Sequence, residues 1–223
     1  MKNQNIQFKR TTPPARTVGS LLGALLVLLA ALTARAQTAT VIDPQGDAFY
    51  SSGHEAPAFL DILAASFTIS DTLTFTVDVA GSLEALPRPP GNAGEFAWHF
   101  PLSTDPSTDP PGFPVAPGQK GKFTAEFFAD AQWDGTAFTG VFVDRRPTLT
   151  GGMALQYSIP VSVVGSRIIL TVPAVLAAQV QPLPGATWNC STVLDPNYIP
   201  PQYASGDNGF HEADTIGRQP WPQ

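Results

Sequence analysis

Asp43 and Asp47 flank a turn, Asp43-Pro44-Gln45-Gly46-Asp47, and Asp61 follows inside the apolar run Phe59-Leu60-Asp61-Ile62-Leu63. The turn lets the first two carboxylates converge on one point. A carboxylate inside an apolar run is costly to bury unless an ion or hydrogen-bond donors pair it. Calcium takes about six to eight oxygen ligands, commonly carboxylates and loop carbonyls. Asp43, Asp47 and Asp61, with loop carbonyls between 47 and 61, therefore fit a cation cage. They fit equally an Asp-rich turn capped by its own backbone. Spacing alone supports both.

The elements that would hold these residues are strands. Ala65-Ser66-Phe67-Thr68-Ile69 and Leu73-Thr74-Phe75-Thr76-Val77-Asp78-Val79 each alternate apolar and polar, with Ser70-Asp71-Thr72 between them. That period of two predicts a hairpin with one buried face. Phe123 to Trp133 alternates with one break, at Phe128; Asp134-Gly135 predicts a turn into a return strand, Phe138–Val143. Met153 to Ile159 alternates again, and Val164-Gly165-Ser166 turns the chain into Arg167–Val172. Ala186–Val193 reads as the last strand. Helix is limited to one or two turns after Pro173. The 23 Pro and 19 Gly gather in residues 87–94, 101–121 and 194–223, which read as long loops. The expected fold is all-β: a two-sheet antiparallel β-sandwich of about eight to ten strands, with Pro-rich loops and at most one short helix.

Catalytic signatures are missing. No Gly-x-Ser-x-Gly elbow surrounds a serine. His211-Glu212-Ala213-Asp214-Thr215 lacks the second histidine of a zinc-protease helix. His54, His99 and His211 read as isolated histidines, and no acid pair stands out for glycoside hydrolysis. Cys190 is the only cysteine, which excludes an intramolecular disulfide and a cysteine-based zinc site. Among the aromatics, Trp98 and Trp188 lie within strand patterns and read as core. Trp133, before a turn, and Tyr198 and Tyr203, in the Pro-rich tail, are the candidates for a ligand-stacking platform.

The charge is unevenly distributed. Of 12 Lys+Arg and 18 Asp+Glu, five basic and no acidic residues fall in 1–36. Residues 37–223 carry seven basic against eighteen acidic, a net −11 over 187 residues. Clustered cations for phosphate contacts are absent, so nucleic acid is excluded as a partner. Residues 1–36 have the order of a secretory signal peptide: Lys9, Arg10 and Arg16, then twelve apolar residues Leu21–Leu32, then Ala34-Arg35-Ala36. Twelve helical residues span about 18 Å, short of the roughly 30 Å of hydrocarbon. The expectation is cleavage near Ala36-Gln37 and a single exported domain, 37–223, with a Pro-rich tail from about 194. It would be secreted or periplasmic and free of the membrane after cleavage.

A resemblance adds to this. Asp43-Pro-x-Gly-Asp47, then Leu60-Asp-Ile-x-x-Ala-Ser-Phe-x-Ile69 and the Asp71-Thr-Leu-Thr-Phe75 hairpin, is similar to the opening of DOMON-like domains, which include relatives of the family-nine carbohydrate-binding modules. Phe96-Ala-Trp-His-Phe100 leading into Ser103–Gly112, Ser166–Pro173 with Leu176, and Trp188 resemble later segments in the same order. The likeness spans most of residues 41–193. It implies an extracellular two-sheet sandwich, calcium held by Asp43, Asp47 and Asp61, and a binding role toward carbohydrate or a surface protein. The loop at 103–112 departs from the family pattern at Pro106, Pro110 and Pro111, so no second ion is carried to Asp105 or Asp109. The expected function is an exported, non-catalytic binding or surface-interaction module. The alternatives are a secreted polysaccharide hydrolase and a purely structural envelope domain.

Overall fold

A computed structural model describes residues 36–49, 55–88, 96–108, 125–194 and 211–223. Ala36–Gln223 is one compact unit, and every residue of the buried core lies within it. The predicted leader and Tyr198 and Tyr203 lie outside the described residues.

The strands are β1 (Gln37–Ile42), β2 (Ile62–Ile69), β3 (Leu73–Val79), β4 (Phe96–Ser103), β5 (Phe127–Trp133), β6 (Phe138–Asp144), β7 (Leu155–Ile159), β8 (Val161–Val164), β9 (Arg167–Val172), β10 (Thr187–Trp188), β11 (Ser191–Leu194), β12 (His211–Thr215) and β13 (Gln219–Pro220). One α-helical turn, α1, covers Ala174–Ala177. Two antiparallel sheets result. The first runs β1-β2-β3-β9-β8; the second runs β12-β11-β4-β5-β6-β7, with β10 and β13 joined beside β4. The all-β antiparallel sandwich expected from the periodicity is the fold.

Alternation explains the packing. In β3 the odd residues Leu73, Phe75, Val77 and Val79 are buried, and Phe67 stacks on Phe75 with ring centroids 4.6 Å apart. Phe75 meets Phe100 of the facing sheet at 5.0 Å. Trp98 and Trp188 are buried, as their strand positions predict. Burying aromatics of this size dominates the energetics of such a core.

The structure differs from the expected elements in five places; the first is the expected last strand, Ala186–Val193, which is two strands, β10 and β11, broken at Asn189-Cys190 and followed by β12 and β13. The alternating stretch from Met153 divides at Pro160: β7 pairs β6 in one sheet, and β8 pairs β9 in the other. Met153 itself is exposed. The turn after Trp133 spans four residues, closed by Asp134 Oδ1 accepting the Thr136 and Ala137 N–H groups, and only Gly135 takes positive φ. The loop predicted from 101 begins later, because β4 continues to Ser103. Pro101 sits inside β4 where the neighbouring strand is interrupted between β10 and β11. Asn189 N–H donates to the Pro101 carbonyl, and the missing proline N–H falls at that break. Finally, the segment 194–223, read as a loop, contains β12 and β13. Trp221 packs edge-on against Phe67 at 4.9 Å.

Candidate metal centre

β1 ends at Ile42, and the Asp43 N–H donates to the Leu63 carbonyl. The chain then turns at Gly46, whose φ of 88° favours glycine. The Gly46 N–H donates to Asp61 Oδ2 at 2.9 Å, which ties the Asp43–Asp47 turn to the third predicted acid. Asp61 follows the 3-10 turn Ala58–Leu60. That turn is fixed from three sides. Trp98 Nε1 donates to the Phe59 carbonyl, Thr192 Oγ1 to the Leu60 carbonyl, and Gly81 N–H to the Ala58 carbonyl. Gly81 lies so close that a Cβ there would stand 2.6 Å from the Phe59 nitrogen. Only glycine fits.

The fourth acid is Asp214, on β12. Its Oδ2 accepts the Ile62 N–H at 2.6 Å across 152 residues of sequence, and its Oδ1 accepts the Thr215 N–H at 2.7 Å. The adjacent Ala213 carbonyl accepts the Phe49 N–H, so β12 is laced to both acidic segments. Carboxylate oxygens of Asp43, Asp47 and Asp214 all lie within 4.8 Å of one another. Asp61 is not in that group of three, but it borders it closely enough to act electrostatically on Asp43.

This packing is electrostatically unfavourable in the protein alone. Burial pushes the Asp43 carboxyl up to about 6, and the charges of Asp214, Asp47 and Asp61 add to the shift. Burial likewise raises Asp214, against the two backbone N–H groups that hold its charge. Among the described residues, Asp43 Oδ2 and Asp61 Oδ1 are buried and have no hydrogen-bond partner. Asp61 is 6% exposed. A self-capped Asp turn would satisfy its own carboxylates, as Asp105 does here by accepting the Ser107 N–H and hydroxyl. The cluster instead leaves one oxygen on each of Asp43 and Asp61 without a partner among the described residues. Among the described residues the donor set is all oxygen, which suits a hard divalent cation.

Sequence reasoning placed three of these four acids together and missed Asp214. Its signal was weak: Ala213 and Ile216, both buried, flank it in a tail dominated by proline and glycine.

The remaining predicted site residue within the described parts is Trp133. It is half-buried, its ring lies 5.0 Å from Phe138, and its Nε1 donates to the Pro87 carbonyl at 3.0 Å.

A second group of polar residues lies on the outer face of the second sheet. His99 Nδ1 and Asp130 Oδ1 are 2.8 Å apart. Ser191 stands directly opposite His99 on the other side, in register. A pocket of about 260 Å³ opens over them.

Compared with protein-family models, curated proteins and solved structures, the chain matches nothing in any of the three.

Proposed function

We propose that this chain is an exported, non-catalytic β-sandwich module that recognises carbohydrate or a surface protein and is stabilised by one calcium ion. Asp43, Asp47 and Asp214 would hold the ion, with Asp61 lining the site. The observation that carries the calcium reading is the pair of buried, unpartnered carboxylate oxygens on Asp43 and Asp61 within a four-acid cluster. A cation there offsets both the desolvation and the mutual repulsion. The ion would join the turn at 43–47, the start of β2 and strand β12. Its role is therefore to fasten segments distant in sequence. Export is supported by the basic, apolar, small-residue order of residues 1–36. No helix among the described residues is long and apolar enough to cross a membrane.

The test is thermal melting of residues 36–223 in 1 mM calcium and in chelator. A ligand present at a hundred times its Kd adds about 2.7 kcal/mol, which for a domain of this size raises Tm by roughly 5–10 °C. An unchanged midpoint would reject the calcium reading.

One observation favours the hydrolase alternative: the pocket places a histidine, an acid and a serine in a row. Against it, β11 lies between β4 and β12, so the backbone N–H groups around Ser191 are committed to the ladders.

A further inference from the structure

Strand β1 begins at Gln37, and the compact unit begins at Ala36. Ala34-Arg35-Ala36 is the small-x-small pattern of an export cleavage site. The first strand residue of the fold is thus the residue that cleavage after Ala36 leaves at the amino end. Ala36, Gln37 and Thr38 are all exposed.

A glutamine in that position has a chemistry that glutamine within a chain lacks. Its α-amine nitrogen and its side-chain Cδ are separated by Cα, Cβ and Cγ, so a bond between them closes a five-membered lactam. An α-amine titrates at about 7.7–8.0, so near neutral pH part of it carries the lone pair that attack requires. The nitrogen attacks Cδ, the Cδ–Nε2 bond breaks, and a proton passes from the attacking nitrogen to Nε2, which leaves as ammonia. Nothing is oxidised or reduced, and no co-reactant is consumed. The Gln37 carboxamide makes no hydrogen bond among the described residues, so closure gives up no partner.

The fold accommodates the product. Gln37 shares a face of β1 with Ala39 and Val41, which pack against the core. It lines a cavity of about 630 Å³ with Ile69, Leu73, Ala177 and Trp221. An ammonium held against that apolar wall loses hydration. Asp71 is also in the lining, but it is exposed, and an exposed ion pair returns little. The lactam brings no charge to the wall. It also keeps the strand pairing. The Asp43 N–H donates to the Leu63 carbonyl, and the β1–β2 register runs unbroken from Ile42↔Ala64 to Gln37↔Ile69. Antiparallel hydrogen-bonded pairs recur at every second residue, so Gln37 and Ile69 form such a pair, and the lactam retains one N–H for it.

We propose that Gln37 is a modification site: once the leader is removed, it closes to an N-terminal pyroglutamyl lactam with loss of ammonia. This rests on the export reading, with cleavage after Ala36. The lactam has no α-amine for an aminopeptidase to bind. It therefore guards edge strand β1, which leads directly into Asp43 of the acidic cluster.

The test is expression of the full chain in a bacterial host that exports it, followed by intact mass and N-terminal sequencing of the exported protein after incubation at pH 8. The expected mass is that of residues 37–223 less one ammonia, with sequencing blocked. Pyroglutamyl peptidase applied to the unfolded chain should then expose Thr38. Gln37→Asn, whose shorter side chain would have to close a strained four-membered ring, should keep its ammonia. Its unfolded chain should be shortened by an aminopeptidase at least tenfold faster than the wild type. A wild type that begins at Gln37 with a free amine and its full mass would overturn the proposal while leaving the cleavage reading intact. A first residue other than Gln37, or a retained leader, would overturn it by rejecting that reading.

Discussion

Asp61 and Asp130 are buried to the same extent, each 6% exposed, yet their surroundings differ in kind. Asp130 stands beside His99 on the next strand at 2.8 Å, so its charge has a partner built into the sheet. Asp61 has one oxygen on the Gly46 N–H and one without a partner among the described residues, among three other acids. Equal burial therefore says little about what a carboxylate is for. A satisfied acid contributes to the fold and can serve a ligand. An unsatisfied cluster stores a cost that an ion removes.

The largest effect expected from this contrast is on calcium itself. Asp61→Ala should weaken calcium binding a hundredfold or more and abolish the calcium-induced rise in Tm. Asp130→Asn should leave calcium affinity within twofold, while costing about 1–3 kcal/mol of stability through the disturbed His99 pair. If both variants lost calcium equally, the distinction between the two sites would fail. Next in size is Gly81→Ala. Its Cβ meets backbone rather than a flexible side chain, and such overpacking costs about 1–3 kcal/mol. It also displaces the turn that presents Asp61, so Tm and calcium affinity should fall together in melting and titration. A surface turn that yields freely would leave both unchanged.

A smaller effect of opposite sign sharpens the comparison. Asp47 is exposed but raises the Asp43 pKa. Asp47→Asn should therefore raise the Tm of the chelated protein slightly, by relieving repulsion, while lowering calcium affinity about tenfold. A fall in the chelated Tm would show that the carboxylates do not repel as placed.

The smallest effect is on pH. Asp43 titrates at about 6 in the fold against an ordinary 3.8, so the folded state holds the proton more tightly than the unfolded chain. Stability of the chelated protein should decline as pH rises from about 4 to 6 and level off above. Calcium, which needs the ionised form, should then contribute more at pH 7.5 than at pH 5. Denaturant melts across that range, with and without calcium, read both trends.

The fold was legible where one face of a strand is buried. The β2–β3 hairpin and the β5–β6 pair follow directly from period-two alternation. Phe128, the single break in that alternation, keeps its place on the outer face and lines the pocket. A large apolar residue at an outward position was thus the visible trace of that site. Register between strands distant in sequence was not legible, and both sites depend on it. Ser191, His99 and Asp130 meet only through the β11-β4-β5 order. Asp214 reaches the acidic turn only because β12 forms within a segment whose proline and glycine content resembles loop. Pro101 misled for a related reason: a proline ends a strand unless the neighbouring strand breaks at the same level, and here it does.

The most direct measurement is a calorimetric titration of calcium into chelator-stripped residues 36–223 at pH 7.5, beside Asp61→Asn, which keeps the side-chain shape and removes the charge. The expected result is one saturable site in the wild type, with a Kd of about 10⁻⁵ M or tighter, inside the range of calcium proteins, and at least a hundredfold loss in the variant. Absence of saturable heat in the wild type, or equal binding by Asp61→Asn, would contradict the assignment of the acidic cluster as a calcium site.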